Sequence, residues 1–182
     1  MIPLFKVYMP QSVDELLLEV LHSGYVGQGR KVEEFEQKLK PWLGNEYALT
    51  TITGTAAIHM ALRLLDIRPG ISVVSTPMTC MATNLPIVNE GGRIIWADIN
   101  PKTGLIDANS IAERIESDTQ AIMCVDWGGT PCDYDDIFSV AQEYGLYVIE
   151  DSCQAFGAEY NGRKIGSVAD FTCVSFQAIK TI

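Results

Sequence analysis

LYVIEDSCQAFGA, residues 146–158, is the stretch on which the fold turns. Leu146 to Ile149 form an unbroken apolar run that stops abruptly at two carboxylates, Glu150 and Asp151. An unbroken run, as opposed to an alternating one, suits a strand covered on both faces, and such strands belong to parallel sheets. In an open α/β sheet, ligands bind beyond the carboxyl ends of the strands. The point where this run meets charge is therefore the first place to look for chemistry.

Five further segments have the same character: YALTTI (47–52), ISVVSTP (71–77), RIIWAD (93–98), AIMCVDW (121–127) and FTCVSF (171–176). Helical stretches separate most of them. DELLLEVLHSG (14–24), KVEEFEQKLKPWLG (31–44) and TAAIHMALRLLDIRPG (55–70) each run into a glycine stop. DANSIAERIES (107–117) and DYDDIFSVAQEYG (133–145) each open on an aspartate, a good N-cap. Alternation at this spacing predicts one α/β domain over residues 1–182: a mainly parallel sheet with helices on both faces.

A formal net charge of −10 argues against a nucleic-acid partner, because phosphate backbones call for faces rich in Lys and Arg. No apolar run approaches the roughly 18 residues of a membrane span. The N-terminus has no basic head followed by an apolar stretch, so a cytoplasmic protein is expected. The five cysteines, Cys80, Cys124, Cys132, Cys153 and Cys173, form no C-x-x-C pair, and His22 and His59 lie far from any cluster. They read as small buried hydrophobes, with no metal site expected.

Three strand ends carry candidate groups. The first predicted strand leads into TTITGTAAIHMAL, where Gly54 gives a turn and Thr55 stands at a helix start. A helix N-terminus with a hydroxyl and small residues suits a phosphate, although a plain cap reads the same way. Asp151 needs a cation or a protonated nitrogen as partner if it is buried, with Gln154 in reach, or it caps a turn. Past the last predicted strand come Ser175, a possible anion ligand, and Lys180, which becomes a nucleophile toward carbonyl carbon if desolvated. Alone, that lysine reads as a surface residue. Together the groups supply what pyridoxal 5'-phosphate requires: a phosphate seat, an acid for the ring nitrogen and an amine for the aldehyde.

With these residues in view, the chain resembles the N-terminal half of the DegT/DnrJ/StrS family of pyridoxal-phosphate-dependent nucleotide-sugar aminotransferases, of the aspartate aminotransferase fold (fold type I). The resemblance runs the whole length, through GYVGQGRKVEEFEQKL, TGTAAIHMAL, TPMTCMATN, ADINPKTGLID, VDWGGTPCD, VIEDSCQAFGA and IGSVADFTCVSFQAIKTI. It implies that Lys180 forms the Schiff base and shuttles the proton, and that Asp151 pairs with the ring nitrogen. It implies too that Gln154 lies near the phenolic oxygen, while Gly54, Thr55, Ala56 and Ser175 hold the phosphate. Where the family often stacks an aromatic on the outer ring face this chain has Cys80, and where many members have His it has Asp126.

The resemblance further implies a nucleotide-sugar substrate, L-glutamate as amino donor, and a homodimer whose active site is shared between subunits. Family members are about twice as long, so the chain is expected to be a partial large domain, cut before the last strand and lacking a C-terminal small domain. The rival expectation is an inactive fragment or a cofactor-free binding or regulatory module that keeps the fold. A Rossmann dehydrogenase is set aside, because TGTAAI is not a G-x-G-x-x-G turn.

Overall fold

The computed structural model describes residues 6–180. Its centre is a parallel sheet of five short strands: β1 (Ser72–Ser75), β2 (Arg93–Trp96), β3 (Thr119–Val125), β4 (Tyr147–Asp151) and β7 (Phe171–Cys173). Spatial order is β2-β1-β3-β4-β7, every neighbouring pair parallel. From β1 the chain first steps outward to β2, then returns past β1 to β3. The order therefore reverses between β1 and β3, and the crevice beyond such a reversal is where open sheets hold ligands.

Following α1 (Asp14–His22) and α2 (Arg30–Leu43) in the chain, helices α3 (Gly54–Leu64), α4 (Met81–Asn89), α5 (Ala108–Arg114) and α6 (Tyr134–Tyr144) pack on the sheet. The expected glycine stops after α2 and α6 are real, with Gly44 and Gly145 left-handed at φ 68°. Asp107 caps α5 by accepting from the N–H groups of Asn109 and Ser110. Asp133 does not cap α6 through its side chain, but accepts the Tyr160 hydroxyl at 2.9 Å.

Two expectations are corrected, and two elements are new. YALTTI is no strand: Tyr47, Leu49 and Ile52 are exposed, and the segment is tied instead to α2 by Thr50, whose N–H and hydroxyl both donate to Glu36 Oε1 at 2.7 Å. The strand of FTCVSF ends at Cys173, short of Phe176. Helix α4 was unforeseen, as was a tight hairpin of β5 (Glu159–Tyr160) and β6 (Arg163–Lys164) turning at Asn161 and Gly162.

The pleat sorts the core onto two faces. Val73, Ala121, Met123, Ile149 and Cys173 pack with Ile58, Leu62 and Ile87 of α3 and α4. Val74, Ile122, Cys124 and Val148 pack with Ile111, Tyr134 and Ile137 of α5 and α6. Side chains alternate along a strand, so Asp151 shares the α3/α4 face with Ile149, while Glu150 shares the α5/α6 face with Val148.

Glu150 is fully buried, its Oε2 accepting the Thr172 hydroxyl at 2.5 Å. Among the described residues its Oε1 has no hydrogen-bond partner. Burial, and then the nearby Asp126 charge, push its carboxyl up to about 7. Asp126 is also raised by burial, but the Ser152 hydroxyl, the Cys132 N–H and the Tyr134 hydroxyl oppose the rise. The folded protein thus keeps a proton on Glu150 through a range in which the unfolded chain has lost it. Stability from this residue is complete below about pH 4.5, declines as pH rises, and levels off above about 7. At about 1.4 kcal/mol per tenfold change in proton affinity, the loss is roughly 3 kcal/mol. Urea denaturation of Glu150→Gln at pH 5 and pH 8 should show most of this slope removed, leaving a remainder from Asp126.

Candidate active site

Asp151 ends β4 and is 7% exposed. Both of its oxygens are engaged. Oδ2 accepts the Thr83 hydroxyl at 2.5 Å, and Oδ1 accepts the Cys153 N–H at 3.1 Å. Thr83 comes from α4, and its hydroxyl lies 2.7 Å from that of Thr79. Cys80, expected against a ring face, is the exposed residue preceding α4, and its carbonyl accepts the Thr83 N–H at 3.0 Å.

Cys153 is the point on which the separate segments converge. Its half-buried thiol is pushed up by burial and then by the Asp151 carboxylate, and is pulled back by the Lys180 ammonium. Carboxylate and amine therefore act on the same group. Lys180 itself is half-buried, its N–H closing a turn on the Gln177 carbonyl at 2.8 Å. It sits beyond the end of β7 in irregular chain, not at the mouth of a strand. Ser175, also half-buried, accepts the Gln177 N–H at 3.3 Å.

The third segment is the start of α3. Thr53 is the N-cap, its hydroxyl accepting the Ala56 N–H at 3.0 Å, so the helix opens at Gly54, one residue before the expected Thr55. That bond occupies the Ala56 N–H, which was expected to be open to a phosphate. Among the described residues no hydrogen bond engages the N–H groups of Gly54 and Thr55 or the Thr55 hydroxyl. Gly54 is there for closeness. A Cβ at this position would meet Cys153 Sγ at 2.8 Å, Ser175 Cβ at 3.4 Å and the Val174 carbonyl at 3.6 Å.

Gln154 lies on the next turn of the loop, with Oε1 accepting the Gly128 N–H at 3.0 Å. The Lys180 segment is tied back to α2 by an aromatic string. Phe35 meets Phe176 edge-on at 4.9 Å, Phe176 meets Phe156 at 4.8 Å, and Phe156 stacks on Trp42 at 4.6 Å. A groove of about 600 Å³ beside Asn100, Asp107, Asp133 and Tyr160 contains none of these groups. The structure thus brings Gly54, Asp151 and Ser175 together around Cys153, whose thiol also feels the Lys180 charge, with Thr55, Ala56, Gln154 and Cys80 in adjoining turns.

Residues 9–182 match the DegT/DnrJ/EryC1/StrS aminotransferase family. The chain belongs to that family. It is similar to GDP-perosamine synthase of Escherichia coli O157:H7, at 34% identity over 182 residues, covering 100% of this chain and 50% of that protein. It is similar also to the spore coat polysaccharide biosynthesis protein SpsC of Bacillus subtilis, at 37% identity, covering 90% of this chain and 42% of that one. Among solved structures, AtS13 from Actinomadura melliaura superposes with a TM-score of 0.93 at 41% identity, covering 99% of this chain and 50% of that one. The pyridoxal-phosphate form of a putative sugar aminotransferase from Streptococcus pneumoniae gives 0.93 at 28% identity, covering 98% and 50%. The fold is that of these enzymes, and the chain spans about half the length of the relatives it matches.

Sequence reasoning missed Thr53, Thr83 and Cys153. The signal for Thr83 was a second threonine four residues before it, whose use was legible only once the path of the chain into α4 was known. Gly54→Ala adds a methyl 2.8 Å from the Cys153 sulfur. It should lower stability by about 1–3 kcal/mol, the usual cost of overpacking. In a Cys153→Ala background most of that loss should vanish, a coupling that a double-mutant cycle in urea measures.

Proposed function

We propose that this chain is the cofactor-binding half of a pyridoxal 5'-phosphate-dependent aminotransferase that aminates a keto group on a nucleotide-linked deoxysugar, with L-glutamate as amino donor. The observation that carries this reading is a buried strand-end carboxylate bound to the Cys153 N–H, with an open helix N-terminus packed against Cys153 and the charge of Lys180 felt at the same thiol. These residues fit the cofactor. Asp151 offers a buried negative charge to a protonated ring nitrogen, each of its oxygens keeping a second lone pair beyond the bond it already accepts. The N–H groups of Gly54 and Thr55, with the Thr55 and Ser175 hydroxyls, can gather a phosphate, favoured by the positive end of α3. The missing Cβ of Gly54 lets this helix start lie close against Cys153 and Ser175.

The bound group would supply an electron-poor ring that accepts the electron pair released at the substrate carbon. Lys180 would hold the cofactor covalently and move the proton at that carbon. Asp151 would keep the ring nitrogen charged, Gln154 would contact the ring near its phenolic oxygen, and Cys80 would flank the outer ring face. Ala56 would contribute its N–H to the phosphate only if Thr53 released it. The sugar class rests on the relatives, among them enzymes named for GDP- and UDP-linked sugars. A second half of comparable length would contribute the remaining sugar contacts and the small domain. All five cysteines are free, which accords with a reducing cytoplasm.

A homodimer is supported by apolar side chains left exposed on two packed helices, Met60 and Leu64 of α3 with Met81, Leu85 and Val88 of α4. Exposed apolar patches of this kind mark interaction surfaces. Sedimentation velocity should report a dimer, and Leu64→Glu with Leu85→Glu should convert it to monomer. The cofactor assignment is tested by borohydride reduction in the presence of pyridoxal phosphate, followed by peptide mass spectrometry. A pyridoxyl adduct on Lys180, absent in Lys180→Ala, is expected. No adduct, or one that persists on another lysine, would leave a cofactor-free module as the better reading.

A further inference from the structure

We propose that Thr83, backed by Thr79, is a positioning residue for the ring-nitrogen carboxylate, fixing which edge of Asp151 the cofactor meets. The inference rests on the assignment of Asp151 to the ring nitrogen.

Its basis is the direction of a hydroxyl relay. An ionised aspartate can only accept, so the Thr83 hydroxyl donates to Asp151 Oδ2. That spends its one proton, so in the 2.7 Å contact between the two threonines Thr79 is the donor and Thr83 the acceptor. The relay therefore runs Thr79 to Thr83 to Asp151. Polarised in one direction, it strengthens the final bond, which is already charge-assisted and short at 2.5 Å. Thr83 is 1% exposed, so water cannot take its place.

With Cys153 N–H on Oδ1 and Thr83 on Oδ2, the carboxylate cannot rotate without breaking one bond or the other. Its plane is thereby set before any cofactor arrives. The relay also has a firm base. Asn84, next to Thr83, accepts the Ser75 hydroxyl at 2.6 Å and donates to the Thr76 carbonyl at 2.9 Å, which pins α4 to the end of β1. Thr83 thus reaches from the helix after β1 to the last residue of β4, across a sequence separation of 68. A residue needed only to satisfy a buried carboxylate would not have to set its orientation toward a ligand.

The test compares Thr83→Val, which keeps the shape and loses the donor, with Thr83→Ser, which keeps the donor and loses a methyl. Asp151→Asn serves as control. Affinity for pyridoxal phosphate is measured by fluorescence titration of the cofactor-free chain, and the pH midpoint of the bound cofactor's absorbance is followed in parallel. Thr83→Val should bind about tenfold or more weakly, the usual scale for a hydrogen bond to a charged group, and shift that midpoint. Thr83→Ser should stay within about threefold of the parent in affinity and keep its midpoint. Parent-like affinity and midpoint in Thr83→Val would overturn the inference, as would equal losses in the two variants, which would mark a packing role. If the parent binds but Asp151→Asn binds equally well, the Asp151 assignment falls and the inference with it. A parent that binds no cofactor would overturn the proposed function as a whole.

Discussion

Consecutive residues of a strand cannot face the same side of a sheet, and the two carboxylates at the end of β4 are separated by that constraint alone. Glu150 and Asp151 are both buried, yet they meet different worlds. Glu150 enters the α5/α6 face beside Asp126, Tyr134 and Thr172, where it keeps its proton. Asp151 enters the α3/α4 face, where the donors around it are a threonine hydroxyl and a backbone N–H. A one-residue slip in the register of β4 would exchange them, placing the proton-holding acid at the site and the hydrogen-bonded one in the core. The parallel pairing with β3 and β7, Glu150 opposite Cys124 and Thr172, and Asp151 opposite Val125 and Cys173, holds that register.

Around this point the fold gathers pieces distant in sequence by simple means. Gly54 lets the N-terminus of α3 approach Cys153 and Ser175 to a distance no side chain would permit. The segment that delivers it is irregular, but Glu36 of α2 holds Thr50 by two bonds. The same helix supplies Phe35 and Trp42 to the aromatic string that fixes Phe176, four residues before Lys180, and Phe156, two after Gln154. Helix α2 therefore braces the chain leading to Gly54, the Lys180 segment and the loop after β4 at once. Its amphipathic sequence gave no hint of this.

What was legible in the sequence follows the strength of the local signal. Five strands and five helices could be read because unbroken apolar runs and glycine stops are local features, and the strand-end candidates Thr55, Asp151, Ser175 and Lys180 stand out on equally local grounds. YALTTI misled because β-branched and aromatic residues suggest a strand, whereas a strand also needs a neighbour to pair with, and Tyr47 and Ile52 are left 94% exposed. Helix α4 was hidden for the opposite reason. Its threonine, asparagine and Pro86 are poor helix formers, and anchorage of Asn84 to the end of β1 outweighs that propensity. The role of Thr83 was doubly hidden, since it depends on that helix and on a contact across the sheet.

Asp126 shows how the far face can serve the near one. It collects the Cys132 N–H, the Tyr134 hydroxyl and the Ser152 hydroxyl, three donors for one buried carboxylate. That number of donors favours its charged form, whereas Glu150 accepts the Thr172 hydroxyl, leaves Oε1 unpaired among the described residues, and is raised by burial. Ser152 directly follows Asp151, and the Asp126 N–H donates to the Asp151 carbonyl at 3.1 Å. Gly128, two residues on, binds Gln154. The loop after β3 thus grips the end of β4 and the chain after it, by backbone at Asp151 and by side chain at Ser152 and Gln154. Asp126 thereby gives the buried serine hydroxyl an acceptor and the loop carrying Gln154 an anchor.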